Sequence, residues 1–138
     1  MNGTASSECL NLGLIGAGPW GSNYIKTIAR LDGVCLSRLA SRNPESPALA
    51  GTGCQISENW REMLAAGGLD GVIIATPAAF HAEITLAALD HDLPVLVEKP
   101  MTLSVSEAEA VLSAARSKDA IVRVGHIHLY SAAWEALK

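Results

Sequence analysis

Leu10-Asn11-Leu12-Gly13-Leu14-Ile15-Gly16-Ala17-Gly18-Pro19-Trp20-Gly21 is the stretch whose reading decides the fold of this chain. Its first half is a short, nearly continuous apolar run, as in a strand covered on both faces of a parallel sheet. Its second half is G-x-G-x-x-G. Trp20, Tyr24, Ile25, Ile28 and Leu31 then repeat at helical spacing, which predicts a helix over 19–31. A glycine-rich turn alone is a weak signal, because such turns also serve packing only. Between a strand and a helix each glycine has a task. Gly16 permits the tight turn, Gly18 lets backbone approach a pyrophosphate, and Gly21 lets the helix pack closely on the strand. The helix N-terminus adds free N–H groups and the positive end of a dipole. A dinucleotide site is therefore expected here, with Pro19 and Trp20 at its rim. Trp20 either shields the ligand or packs on its neighbours. A methyltransferase with a related glycine turn stays open at this point.

Working outward, similar apolar runs recur at Val34–Ala40, 71–75, 94–97 and 121–124, with a weaker edge candidate at Gln55–Ser57. Helices are predicted over 60–66 and 78–89. Ser104 followed by Glu107 is a capping box that opens another, running to about Ser117. Pro44 and Pro47 leave room for only a turn or a ragged helix. Strands thus alternate with helices, and right-handed crossovers give a doubly wound, mostly parallel sheet in the order 3-2-1-4-5-6. The expected class is α/β, three layers deep, a Rossmann domain.

Composition agrees. The chain has 138 residues, 49% hydrophobic and 17% charged, which suits one domain with a real core and excludes a disordered tail. Aromatics make up 4% and there are 12 glycines, which favours tightly packed α/β layers over a β-sandwich. A net charge of −4 argues against a nucleic-acid partner. No signal peptide or membrane span is visible. Cys9, Cys35 and Cys54 are odd in number and widely spaced, so no disulfide framework is expected. Cys35 reads as a small core residue, and the set fits a reducing cytoplasm.

The end of the second strand selects between NAD and NADP. An NAD site usually has a carboxylate there, about 20 residues past the glycines. This chain has Ala40-Ser41-Arg42-Asn43, with no carboxylate until Glu45. Ser41 can donate a hydrogen bond to a 2′-phosphate, and Arg42 can pair with it or stack on adenine. NADP is favoured over NAD, with a solvated Arg42 as the plainer alternative.

Two later segments carry chemistry: Ile73-Ile74-Ala75-Thr76-Pro77-Ala78-Ala79-Phe80-His81, and Val95-Leu96-Val97-Glu98-Lys99-Pro100. With the glycine motif and Val124-Gly125-His126, they resemble the glucose–fructose oxidoreductase/inositol dehydrogenase (Gfo/Idh/MocA) family from about Leu10 to the end. A methyltransferase has no use for the Glu-Lys-Pro. The resemblance implies an NAD(P)-dependent oxidoreductase acting on a sugar, inositol or related polyol. It makes Lys99 the catalytic residue, meeting the reacting oxygen near the nicotinamide. Such an ammonium polarises a carbonyl or steadies a developing alkoxide. Glu98 would orient it and Pro100 would fix the turn. Thr76 and Pro77 look like the segment beside the nicotinamide ribose. His81 either approaches the same region or is a helix-end histidine with no such task. His126 and His128 lack further ligands nearby, so no metal is expected.

The expected division is a tail over 1–9, the dinucleotide-binding domain over 10–125, and over 126–138 the start of a connection to a substrate domain. Family members carry that second domain, and with it the sugar site and often the oligomer interface. The favoured expectation is the cofactor half of a full oxidoreductase, its partners the dinucleotide cofactor, a small carbohydrate-like substrate in the full enzyme, and a partner domain or a second copy of the chain. A cofactor subunit completed by a partner chain, and a non-catalytic NAD(P)-binding sensor, stay open.

Overall fold

The computed structural model describes residues 9–137. Six strands form one sheet, ordered β3-β2-β1-β4-β5-β6 and parallel throughout. They are β1 (Leu10–Ile15), β2 (Val34–Ala40), β3 (Gln55–Ser57), β4 (Gly71–Ile74), β5 (Val95–Val97) and β6 (Val122–Val124). Helices α1 (Pro19–Ile28), α2 (Trp60–Ala65), α3 (His81–Asp90) and α4 (Val105–Ser117) lie between strands, and α5 (Ala132–Glu135) follows β6. The order is the one expected, because each parallel neighbour requires a crossover and right-handed crossovers leave few alternatives. Most of the expected tail lies outside the described residues. Among the described residues, no helix is long and apolar enough to cross a membrane.

Burial is graded rather than uniform. All four residues of β4 are buried, as are the last three of β1, whereas β2 is buried only at Leu39 and Ala40. The core divides in two. Ile15, Met63, Ile74, Ile84, Leu89, Val95 and Val97 form one cluster, and Leu14, Ile28, Leu39, Leu49 and Ile73 the other. Alternate residues of β1 and β4 thus face opposite layers, as the two-residue period of a strand requires.

Local chemistry sets the helix ends. Ser104 accepts the Glu107 N–H, and the Glu107 side chain accepts the Ser104 N–H, so the expected capping box opens α4. Asn59 caps α2 by accepting the Arg61 N–H at 3.0 Å. The helix expected over 78–89 is instead a 3₁₀ turn, Ala78–Phe80, followed by α3 from His81. The region around Pro47 is also a 3₁₀ turn, Pro47–Leu49.

The cysteine reading needs correction. Cys9 and Cys35 form a disulfide, and Cys35 is exposed rather than a core residue. Pairing of Leu10 with Val34 in the sheet brings the two cysteines side by side at the N-terminal ends of β1 and β2. The cysteines therefore give no argument for a reducing compartment. The bridge closes the whole β1–α1–β2 unit, so reduction or Cys35→Ser should lower unfolding stability by about 3 kcal/mol. Guanidinium unfolding with and without reductant measures this; coincident curves would mean that the sulfurs are unbonded.

Candidate functional site

The C-terminal ends of the parallel strands all open on one side, and a cleft of about 640 Å³ lies there. Its floor is the turn after β1, where Gly16, Gly18, Pro19 and Trp20 line the wall. Gly16 has φ +101, and a Cβ on it would come within 2.6 Å of the Ala75 carbonyl oxygen. Only glycine suits that turn. A Cβ on Gly18 would meet nothing within 4 Å, since this backbone faces open cleft. Gly21 does not line the cleft. It is buried, and a Cβ there would collide with the Gly16 carbonyl. Gly18 caps α1 without a side-chain bond, Pro19 opens the helix, and no acidic residue lies in its first turn. The dipole end and first-turn N–H groups are therefore uncompensated.

The second wall comes from the loop after β2. Ser41 and Arg42 line it, but the Ser41 hydroxyl is engaged with Asn43, donating to its carbonyl and accepting its N–H at 3.2 Å each. The Ser41 N–H donates to the Ser57 carbonyl at 2.9 Å, which ties this loop to the end of β3. That tie brings in residues not singled out from the sequence: Glu58 and Trp60 also line the cleft. Arg61 stacks on the Trp60 ring, 4.1 Å from its centroid, and pairs with Glu83. A carboxylate thus shares the wall with Arg42, although none stands at the end of β2. The signal that could have found it was the β2–β3 pairing, which sets Ala40 opposite Ser57.

Thr76, Pro77 and Phe80 close the third side. The Thr76 hydroxyl oxygen is buried and has no hydrogen-bond partner among the described residues. An orphaned hydroxyl in a cleft wall, beside a glycine loop with open space above it, fits a polar ligand that runs from the loop to Thr76. A nicotinamide dinucleotide has that character: charged phosphates at one point and ribose hydroxyls and an amide farther along.

Glu98, Lys99 and His81 stand outside this lining. Lys99 is exposed and has no ion pair among the described residues. Glu98 does not reach its ammonium. The Glu98 carboxylate accepts the Tyr24 hydroxyl at 2.5 Å and the Lys99 backbone N–H at 3.3 Å. Gly125 leaves it room, since a Cβ there would sit 2.9 Å from Glu98 Oε1. His81 is buried, with both ring nitrogens on backbone carbonyls, those of Pro100 and Thr76.

A profile described as an oxidoreductase family with an NAD-binding Rossmann fold, Gfo/Idh/MocA, matches residues 10–126. Inositol 2-dehydrogenase 4 of Saccharopolyspora erythraea is 32% identical, over 96% of this chain and 41% of its own length. The rhizopine catabolism protein MocA of Rhizobium meliloti is 32% identical over 83% of this chain and 37% of its own. A crystal structure from Magnetospirillum magnetotacticum MS-1 is 54% identical with a TM-score of 0.85, covering 94% of this chain and 42% of that one. Scyllo-inositol dehydrogenase of Lactobacillus casei shares the fold at a TM-score of 0.88 and 21% identity, over 94% and 39%. The chain spans about two-fifths of the length of the relatives it matches.

Two outcomes follow from this geometry. Gly21→Ala must push α1 off the turn, and a loss of about 2–3 kcal/mol in denaturant unfolding is expected; a native-like midpoint would show that the contact is soft. Burial and the adjacent Glu98 carboxylate raise the Tyr24 hydroxyl well above its ordinary value of 10.0. The unfolded chain then releases this proton first, so Tyr24's contribution is intact below about pH 10 and declines as pH rises beyond it. Tyr24→Phe should remove that part of the alkaline decline, read from unfolding midpoints between pH 9 and 11.

Proposed function

The chain belongs to the Gfo/Idh/MocA oxidoreductase family, and on that premise we propose that it is the cofactor-binding part of an enzyme that oxidises or reduces a carbinol carbon of a sugar, inositol or related polyol. The observation that carries this reading is the cleft joining the glycine turn and the uncapped end of α1 to the unpartnered Thr76 hydroxyl. Gly16, Gly18 and the first turn of α1 would hold the pyrophosphate, Pro19 and Trp20 its rim, and Thr76 and Pro77 the nicotinamide ribose. The bound nicotinamide supplies the hydride acceptor or donor. Lys99 would meet the reacting oxygen, its ammonium offsetting negative charge there. The substrate pocket and general base would come from the remaining length that the relatives possess. That several relatives are inositol 2-dehydrogenases supports a polyol substrate for the whole protein.

NADP is the cofactor we propose, because Arg42 in the cleft wall is matched in charge to a 2′-phosphate. Glu58 in the same wall opposes that preference and keeps it modest. Calorimetric titration with NADPH and NADH tests the reading. NADPH should bind more tightly, Arg42→Ala should weaken NADPH about tenfold with little change for NADH, and Glu58→Gln should strengthen NADPH. Gly18→Val should abolish binding of both while stability stays within about 1 kcal/mol, because its side chain enters open cleft. Unchanged affinity in that variant would sink the phosphate assignment.

A further inference from the structure

Lys99 is exposed, yet the residues on both sides of it are fastened from elsewhere in the fold. Before it, Glu98 is 5% exposed and receives the Tyr24 hydroxyl from α1. After it, the Pro100 carbonyl oxygen stands 2.8 Å from Nδ1 of His81. The opposite ring nitrogen of His81, Nε2, stands 2.8 Å from the Thr76 carbonyl oxygen. His81 is 1% exposed, so water does not compete for either contact.

Both partners are main-chain oxygens, which accept and never donate, so a neutral ring donates to one of them and only the imidazolium form donates to both. An imidazole is rigid, and bonds of this length at its two nitrogens hold the Thr76 and Pro100 oxygens within about 8 Å of each other. A histidine that only filled core volume would need no such pair of partners from two separate loops. Nor has the ring a nitrogen left for a cofactor.

We propose that His81 is a positioning residue that fastens the Thr76 wall of the cleft to the backbone following Lys99, setting where the lysine stands relative to the cofactor. Its meaning for Lys99 rests on the reading of the cleft given above; the bridge itself does not. The Thr76 end carries the orphaned hydroxyl, so a ligand that engages it presses on the same residue whose carbonyl His81 holds. Movement there passes through one stiff ring to Pro100. Glu98, anchored by Tyr24, keeps the other side of Lys99 still.

The test separates the two halves of the bridge. In His81→Asn the side-chain amide sits near the Nδ1 position and can serve Pro100. In His81→Gln it sits near the Nε2 position and can serve Thr76, while His81→Phe serves neither. Amide hydrogen exchange at Met101 and Thr102 is measured in the cofactor-free chain and again with saturating NADPH. Without cofactor, His81→Asn should exchange within about twofold of the parent, whereas His81→Gln and His81→Phe should exchange about tenfold faster. The slowing that NADPH produces in the parent should vanish in all three variants, although its Kd changes less than about threefold. Parent-like exchange in His81→Phe, or no difference between the Asn and Gln variants, would overturn the bridge. Absence of NADPH binding to the parent would defeat the cofactor reading instead, and the cofactor-free comparison would still decide the role of His81.

Discussion

Everything at the mouth of the sheet depends on how closely the first helix approaches the first turn. Gly21 stands where any Cβ would strike the Gly16 carbonyl, so α1 can settle onto the strand end only because Gly21 lacks a side chain. That approach aims the uncapped first turn into the cleft. It also decides what lies further along the helix. Tyr24, three residues on and on the same face, comes within reach of Glu98 on the far side of β4. A single backbone contact therefore places both the candidate phosphate end and one of the anchors beside Lys99. The crevice opens there because β2 lies on one side of β1 and β4 on the other, so the chain leaves the two central strands in opposite directions.

Polar groups at this mouth fall into two kinds. Glu98 and His81 are buried and fully partnered, by Tyr24 and the Lys99 N–H in one case and by two carbonyls in the other. Burial without partners would cost each of them several kcal/mol, so their networks are structural obligations as well as fixed geometry. The Thr76 hydroxyl, the first turn of α1 and the Lys99 ammonium are the opposite kind, with capacity left over. The boundary between the kinds runs through adjacent residues, Glu98 to Lys99 and Thr76 oxygen to Thr76 hydroxyl.

The architecture was legible because its signals are local. Apolar runs such as Leu10–Ile15, a glycine turn and a capping box at Ser104 each report on residues nearby, and crossover handedness then leaves one simple sheet order. What was missed depends on register or on main-chain atoms. Cys35 sits in an apolar run, and the run does not say which end of β2 is covered. Its bond to Cys9 follows from Leu10 standing opposite Val34, a fact of pairing. Glu98 hid half of its contacts for a related reason. Its carboxylate does accept the backbone N–H of its sequence neighbour Lys99, but its other partner is Tyr24, far away in the chain. His81 was visible as a helix-start histidine, but its two carbonyl partners have no side-chain signature at all.

The cofactor selector shows the same limit in electrostatic terms. Reading the end of β2 alone assumes that one loop sets the field at the ribose. In a parallel sheet the ends of neighbouring strands lie side by side, and the Ser41 N–H is bonded directly to Ser57, the residue before Glu58. Arg42 and Glu58 therefore line the same cleft with opposite charges, both exposed to solvent and screened by it. Preference then turns on distance and desolvation, which reward the group that closes on the ligand most completely. Arg42 has the longer side chain and the planar donors suited to a phosphate, and Glu58 can gain only hydroxyl hydrogen bonds. That asymmetry, rather than the absence of an acid after β2, is the ground on which the proposed preference for NADP rests.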